Sequence, residues 1–158
     1  MTIGTITGPL AGTNAPTSAN PLSVVAAGTT YSLTGSMAAV DFGTTDPILT
    51  INAPGTYLII AYAEVLYSGA TFAASKTVTL KLRRTNNTAA DVGGSVVTAK
   101  TDVVTTKTAT LSNISWSCVY TTTNATDIIQ MFGGLENTPS AGSVDIEEAS
   151  IVAIRLQG

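Results

Sequence analysis

The 158-residue chain has no histidine, a single cysteine and few charges: Asp, Glu, Lys and Arg together make up 11%, with a net charge of -3. Each shortage excludes something. Without histidine, neither a Ser-His-Asp nor a Cys-His nucleophile arrangement can be built, and the commonest general base is missing. No catalytic residue is assigned, and the chain is expected not to be an enzyme. A lone cysteine cannot close an intrachain disulfide, and one Cys with no His cannot make a structural zinc site, so no cofactor or metal is expected. Seven basic residues against ten acidic ones leave no broad basic surface to neutralise a phosphate backbone, which excludes nucleic acid as an expected partner. The first basic residue is Lys76. The N-terminus therefore lacks the charged region of a signal peptide, the apolar runs are too short to span a bilayer, and neither Sec export nor a membrane is expected.

Helical signals are scarce as well. No window offers a convincing helix of about ten residues; β-branched and aromatic residues recur in short runs separated by Gly, Pro, Asn and Asp clusters such as "FGTTDP", "NAPG" and "RTNNT". "TVTLKLRR" alternates, with Val78, Leu80 and Leu82 on one face and Thr79, Lys81 and Arg83 on the other, as a half-buried strand does. In "LSNISWSCVY" the residues Ile114, Trp116, Cys118 and Tyr120 share a face, which makes Cys118 an inert, buried thiol. "PILTIN", "DIIQMF" and "SIVAIRL" add further strands. The expected architecture is all-β: an antiparallel two-sheet sandwich over residues 31–158.

Residues 1–30 read differently. Pro9, Pro16 and Pro21, with Gly, Ser, Thr and Asn between them, interrupt both helix and strand, so this stretch is expected to be an extended N-terminal arm that forms no regular ladder. It is either a disordered tail or a docking segment, with Ile3, Ile6, Leu10 and Leu22 as its apolar anchors.

One stretch, "PGTYLIIAYAEVLYSGA" at 54–70, is apolar on both faces: Tyr57, Ile59, Ala61, Ala63 and Val65 on one, Leu58, Ile60, Tyr62, Glu64 and Leu66 on the other. A sandwich strand needs one buried face, so the second requires another cover, either a neighbouring subunit or a terminal arm or long loop of the same chain. The low charge and positive mean hydropathy also point to apolar surface covered by other chains.

"PGTYLIIAYAEV", "VTLKLRR", "TLSNISWSCVY", "NATDIIQMFGG" and "SVDIEEASIVAIRL" follow one another in an order that resembles the C1q/TNF-like jelly rolls, most clearly their phage and bacterial forms. Gly55-Thr56-Tyr57, Thr126-Asp127-Ile128 and Ile154-Arg155-Leu156 occupy the places of that group's short motifs. The resemblance implies a jelly roll and a compact homotrimer, with aromatic and aliphatic side chains at the seam; Tyr57, Ile59, Tyr62 and Leu66 are the expected seam residues. It also implies a virion component: a trimeric decoration protein that stabilises the outside of a phage capsid and binds the major capsid protein lattice, or else the receptor- or glycan-binding tip of a tail fibre. Because only about thirty residues precede the sandwich, short for a shaft, and because only Tyr67 and Phe72 among the aromatics read as loop positions, decoration is the expected role.

The remaining features read structurally. Asp145, Glu147 and Glu148 could bind Ca²⁺ or supply half of a glycosidase pair, with Asp145 and Glu147 on one face by the period-two rule; the plainer reading is a solvated edge that deters aggregation. Arg83 and Arg84 could meet acids on a partner or stay solvated. "VGGS" and "FGG" read as turns. The Asn-x-Ser/Thr triplets at Asn86, Asn113 and Asn124 carry no weight in a Thr-rich chain without a secretory signal.

Overall fold

The computed structural model describes residues 22–43, 45–71, 76–101 and 110–157. Among the described residues there are ten strands and no helix: β1 (Leu22–Ser32), β2 (Ala38–Ala39), β3 (Ile48–Ile51), β4 (Gly55–Thr71), β5 (Lys76–Arg84), β6 (Ala90–Asp91), β7 (Val97–Thr101), β8 (Thr110–Thr122), β9 (Asp127–Leu135) and β10 (Ala141–Gln157). They form two antiparallel sheets. One runs β1-β10-β4-β8; the other runs β2-β9-β5-β6, with β3 also paired to β9 and β7 to β5. Apart from β6 and β7, which pair with the nearby β5, strands adjacent in each sheet are distant in sequence, as in a jelly-roll sandwich.

The core lies between the sheets, and period two decides what enters it. From β4 come Tyr57, Ile59, Ala61, Ala63, Val65 and Tyr67, all buried; β10 adds Val144, Ile146, Ala149, Ile151 and Ala153. The facing sheet contributes Val78, Leu80 and Leu82 from β5, Ile129 and Met131 from β9, and Leu49 and Ile51 from β3. Small alanines in the middle of β4 and β10 share one buried cluster with the bulkier Leu, Ile and Met side chains of the facing sheet.

Three expectations are corrected. The first sheet begins at Leu22 rather than after residue 30: Leu22–Ala27 pair with Ala153–Glu148 of β10. Pro21 has no N–H to donate, and the ladder starts immediately after it, so the last proline marks a boundary and not the middle of an arm. Leu22 is a partly buried strand residue against the core, while Ile3, Ile6 and Leu10 lie outside the described residues. "FGG" is no turn, because Gly133 and Gly134 lie within β9. A Cβ on Gly133 would fall 2.6 Å from Leu33 Cδ2, and one on Gly134 would fall 3.1 Å from Met37 Cα. The two glycines thus let segment 33–37 cross close over the strand. Finally, Tyr57 and Ile59 are fully buried on the inward face. They fill the core of one chain and are removed from the seam.

Candidate functional site

The outward face of the β1-β10-β4-β8 sheet is where the second apolar face of β4 emerges. Register across the ladders arranges it in rows. Ile154, Leu58 and Val119 form the first, and Ser23, Val152, Ile60 and Ser117 the second. Val25, Ser150, Tyr62 and Ser115 form the third; Glu148, Glu64 and Asn113 follow, and Ser32, Asp145 and Leu66 close the series. One end of the face is therefore aliphatic and the other acidic. Val25 is 60% exposed, Val119 59% and Ile60 37%, while Leu58, Val152 and Ile154 are half-buried by their neighbours. Tyr62 and Leu66, both expected at a seam, stand on this face, half-buried. Large aliphatic groups side by side on an uncovered sheet are unfavourable in water, at about 25 cal/mol per Å² of apolar surface.

Charges on this face are of one sign among the described residues. The Tyr62 hydroxyl donates toward Asn113 Oδ1 (3.2 Å) and Glu64 Oε2 (3.4 Å). Its pKa is pushed up first by burial and then by the carboxylates of Glu64 and Glu148. Asp145 is buried, accepts the Ser32 hydroxyl at 2.6 Å and also accepts the hydroxyl of Ser143. Glu147 accepts from Thr30 Oγ1 at 3.2 Å. A β-bulge between Ile146 and Glu148 breaks the period-two relation expected of Asp145 and Glu147. No cluster of three metal-binding side chains occurs among the described residues.

The three short motifs converge at one end of the sandwich. Arg155 and Tyr120 flank Tyr57 in one row across β10, β4 and β8. The Tyr57 hydroxyl donates to Ala53 O at 2.7 Å, and Arg155 Nη2 donates to Pro54 O, so both secure the turn that leads into β4. Tyr120 donates to Asp127 Oδ2 at 2.5 Å, and Asn124 Nδ2 (2.8 Å) and Asn87 Nδ2 (2.9 Å) donate to Asp127 Oδ1. Burial alone would raise the pKa of Asp127, but hydrogen bonds from Thr122, Tyr120, Asn124 and Asn87 outweigh it and hold the carboxyl below its usual value. Asn86 completes the lock: its Oδ1 accepts the Ile128 N–H at 2.7 Å. Sequence reasoning missed this network. The clue lay in the asparagine-rich turns 86–87 and 124, set aside above as chance triplets.

The basic residues of β5 belong to the other sheet. Arg83 lies over the Phe132 ring, 5.7 Å from its centroid, and 3.9 Å from Asp91, which also pairs with Lys81 at 2.8 Å. Arg84 donates twice to Thr88 O and closes the turn after β5. Cys118 sits on the inward face, where burial pushes its thiol pKa up.

No protein-family model matches the chain, and no curated protein matches its sequence. Among solved structures it is similar to Eiger TNF from S. frugiperda, with a TM-score of 0.53 and 13% identity over 86% of this chain and 92% of that one. It is also similar to the globular domain of zebrafish complement 1qA, with a TM-score of 0.50 and 11% identity over 87% of this chain and 98% of that one. The fold is thus a C1q/TNF-like jelly roll, shared almost end to end with both.

Proposed function

We propose that this chain is a non-enzymatic structural protein of a phage virion, a decoration protein that binds the capsid exterior as a homotrimer and stabilises the shell. The observation that carries the reading is the outward face of β1-β10-β4-β8, where Leu58, Ile60, Val119, Val152 and Ile154 form a contiguous aliphatic patch with no described basic residue. Covering that patch with copies of itself would relieve the exposure in a chain with only 11% charged residues. The sheet order, together with the fold likeness to TNF and C1q domains, supports the trimeric arrangement that the sequence resemblance implies. Segment 1–21, with Ile3, Ile6 and Leu10 as apolar anchors, is the part assigned to the capsid protein lattice. The absence of histidine, which removes the commonest general base, supports a role without catalysis.

The test combines assembly with shell binding. Sedimentation of the full chain at micromolar concentration should give a trimer mass that co-sediments with undecorated capsids. Deleting residues 2–20, which spares the paired residues of β1, should leave the trimer intact and abolish capsid binding. A truncated trimer that instead adheres to host cells and competes with intact phage for adsorption would favour a receptor-binding fibre tip.

A further inference from the structure

The outward face of the other sheet is of a different kind. β5 presents Thr77, Thr79, Lys81 and Arg83 there, and across the β5–β9 ladder Thr79 meets Gly134 while Lys81 meets Phe132. Where Gly134 carries no side chain, a groove of about 450 Å³ opens between Thr77 and Thr79 on one side and Gly35 and Met37 on the other, with Leu135 and Glu136 at its end. Both walls are tied to the sheet. The Leu135 N–H donates to Thr34 O at 2.8 Å, which holds the crossing segment, and the Glu136 N–H donates to Thr77 O at 2.9 Å. Glu136 Oε2 also accepts the Thr77 hydroxyl at 2.9 Å, so an exposed carboxylate is fixed at the mouth of the groove. No described basic side chain lines it, and the cations further along the face, Lys81 and Arg83, lie 2.8 and 3.9 Å from Asp91.

We propose that this groove is a carbohydrate site that seats one uncharged sugar ring, with Glu136 accepting hydrogen bonds from ring hydroxyls and Thr77 and Thr79 pairing with others. The lining selects the ligand class by elimination. An anion is repelled by Glu136, and a purely apolar ligand would leave the carboxylate and both hydroxyls unpaired as it displaced their water. An ammonium would use the carboxylate alone, and a single exposed ion pair contributes little. A sugar ring uses the whole lining: its hydroxyls both donate and accept, as threonine hydroxyls do, and its C–H face can pack on Met37, which is 39% exposed. The bare backbone at Gly35 and Gly134 allows a flat ring to approach closely. The site is built within one chain. It lies on the opposite side of the sandwich from the aliphatic patch, so covering that patch leaves the groove open to solvent.

The experiment is saturation-transfer NMR on the full chain with the methyl glycosides of glucose, galactose, mannose and N-acetylglucosamine, and with butylammonium chloride as the cationic probe. At least one glycoside should bind with a Kd on the order of millimolar, as a small ligand held by a few hydrogen bonds in an open groove does. Thr79→Val and Glu136→Gln, both conservative changes at the surface, should each weaken that binding about fivefold to tenfold with an unchanged circular dichroism spectrum. Silence from all four glycosides would overturn the proposal, and so would a glycoside that binds both variants as tightly as the wild type. Butylammonium binding more tightly than every glycoside, and lost in Glu136→Gln, would replace the sugar with a cation. None of these outcomes bears on the assembly reading, which stands or falls on the sedimentation mass.

Discussion

Replacing Asp127 with alanine should be among the most damaging single changes outside the apolar core. Its carboxylate is fully buried, yet it accepts hydrogen bonds from Thr122 and from three further side chains at 2.5–2.9 Å, and those three alone bound the loss from below. A hydrogen bond to a charged group contributes about 1.5–3 kcal/mol, so three would sum to about 4.5–9 kcal/mol if every donor were left dry. They would not be. Asn87 is exposed and Asn124 and Tyr120 are half-buried, so water recovers part of the loss, and the net cost should be about 2–4 kcal/mol. For a domain of this size that lowers Tm by roughly 10 °C. The pH dependence carries the same signature. Because the folded carboxyl is held below its usual value, its stabilisation is full above the unfolded value of about 3.9 and disappears as pH falls through the lower folded one. Denaturant titration at matched protein concentration, at pH 7 and at pH 3, should therefore show a deficit of Asp127→Ala at pH 7 that shrinks in acid. A variant within about 0.5 kcal/mol of wild type at pH 7 would refute the reasoning.

Other substitutions probe the remaining features. Gly142 holds a left-handed φ of 72°, and an added Cβ would lie 2.3 Å from Ser68 O, so Gly142→Ala should cost at least about 1–3 kcal/mol by thermal unfolding. Cys118 should react slowly with a thiol reagent in the native protein and rapidly in denaturant, since it is buried with a raised thiol pKa. Ile60→Asp places a charge in the centre of the aliphatic patch and should yield a folded monomer by light scattering, with little change in circular dichroism.

Much of the fold was legible because period two is a strong signal wherever one face is buried. Val78, Leu80 and Leu82 lie inward on β5 and Lys81 outward, and Cys118 shares the inward face of β8, as their alternation requires. The β1 strand escaped notice because three upstream prolines coloured the reading of a segment whose own residues, Leu22 to Val25, have ordinary strand character. The glycine pair in β9 was misread for a related reason. Glycine marks a turn when the backbone needs an unusual φ, but here it marks the close crossing of segment 33–37, a tertiary fact that no local window contains. The Asp127 lock was equally hidden, since its donors come from turns about forty residues away in sequence as well as from nearby ones.

The two faces of β4 also explain why Tyr57 and Ile59 could be mistaken for seam residues. In a strand flanked by water on one side, polarity alone reveals which side chains point inward. In β4 both sets are apolar, so composition cannot tell Tyr57 from Leu58, and only the register against β10 and β8 assigns Leu58, Ile60 and Tyr62 to the outside. The single interruption, Glu64, then acquires meaning from its partner. Opposite a lysine it would be an ordinary cross-strand pair, but opposite Glu148 it puts a like-charge repulsion into the one sheet face that otherwise favours burial. The face thus sets exposed aliphatic rows beside an acidic one.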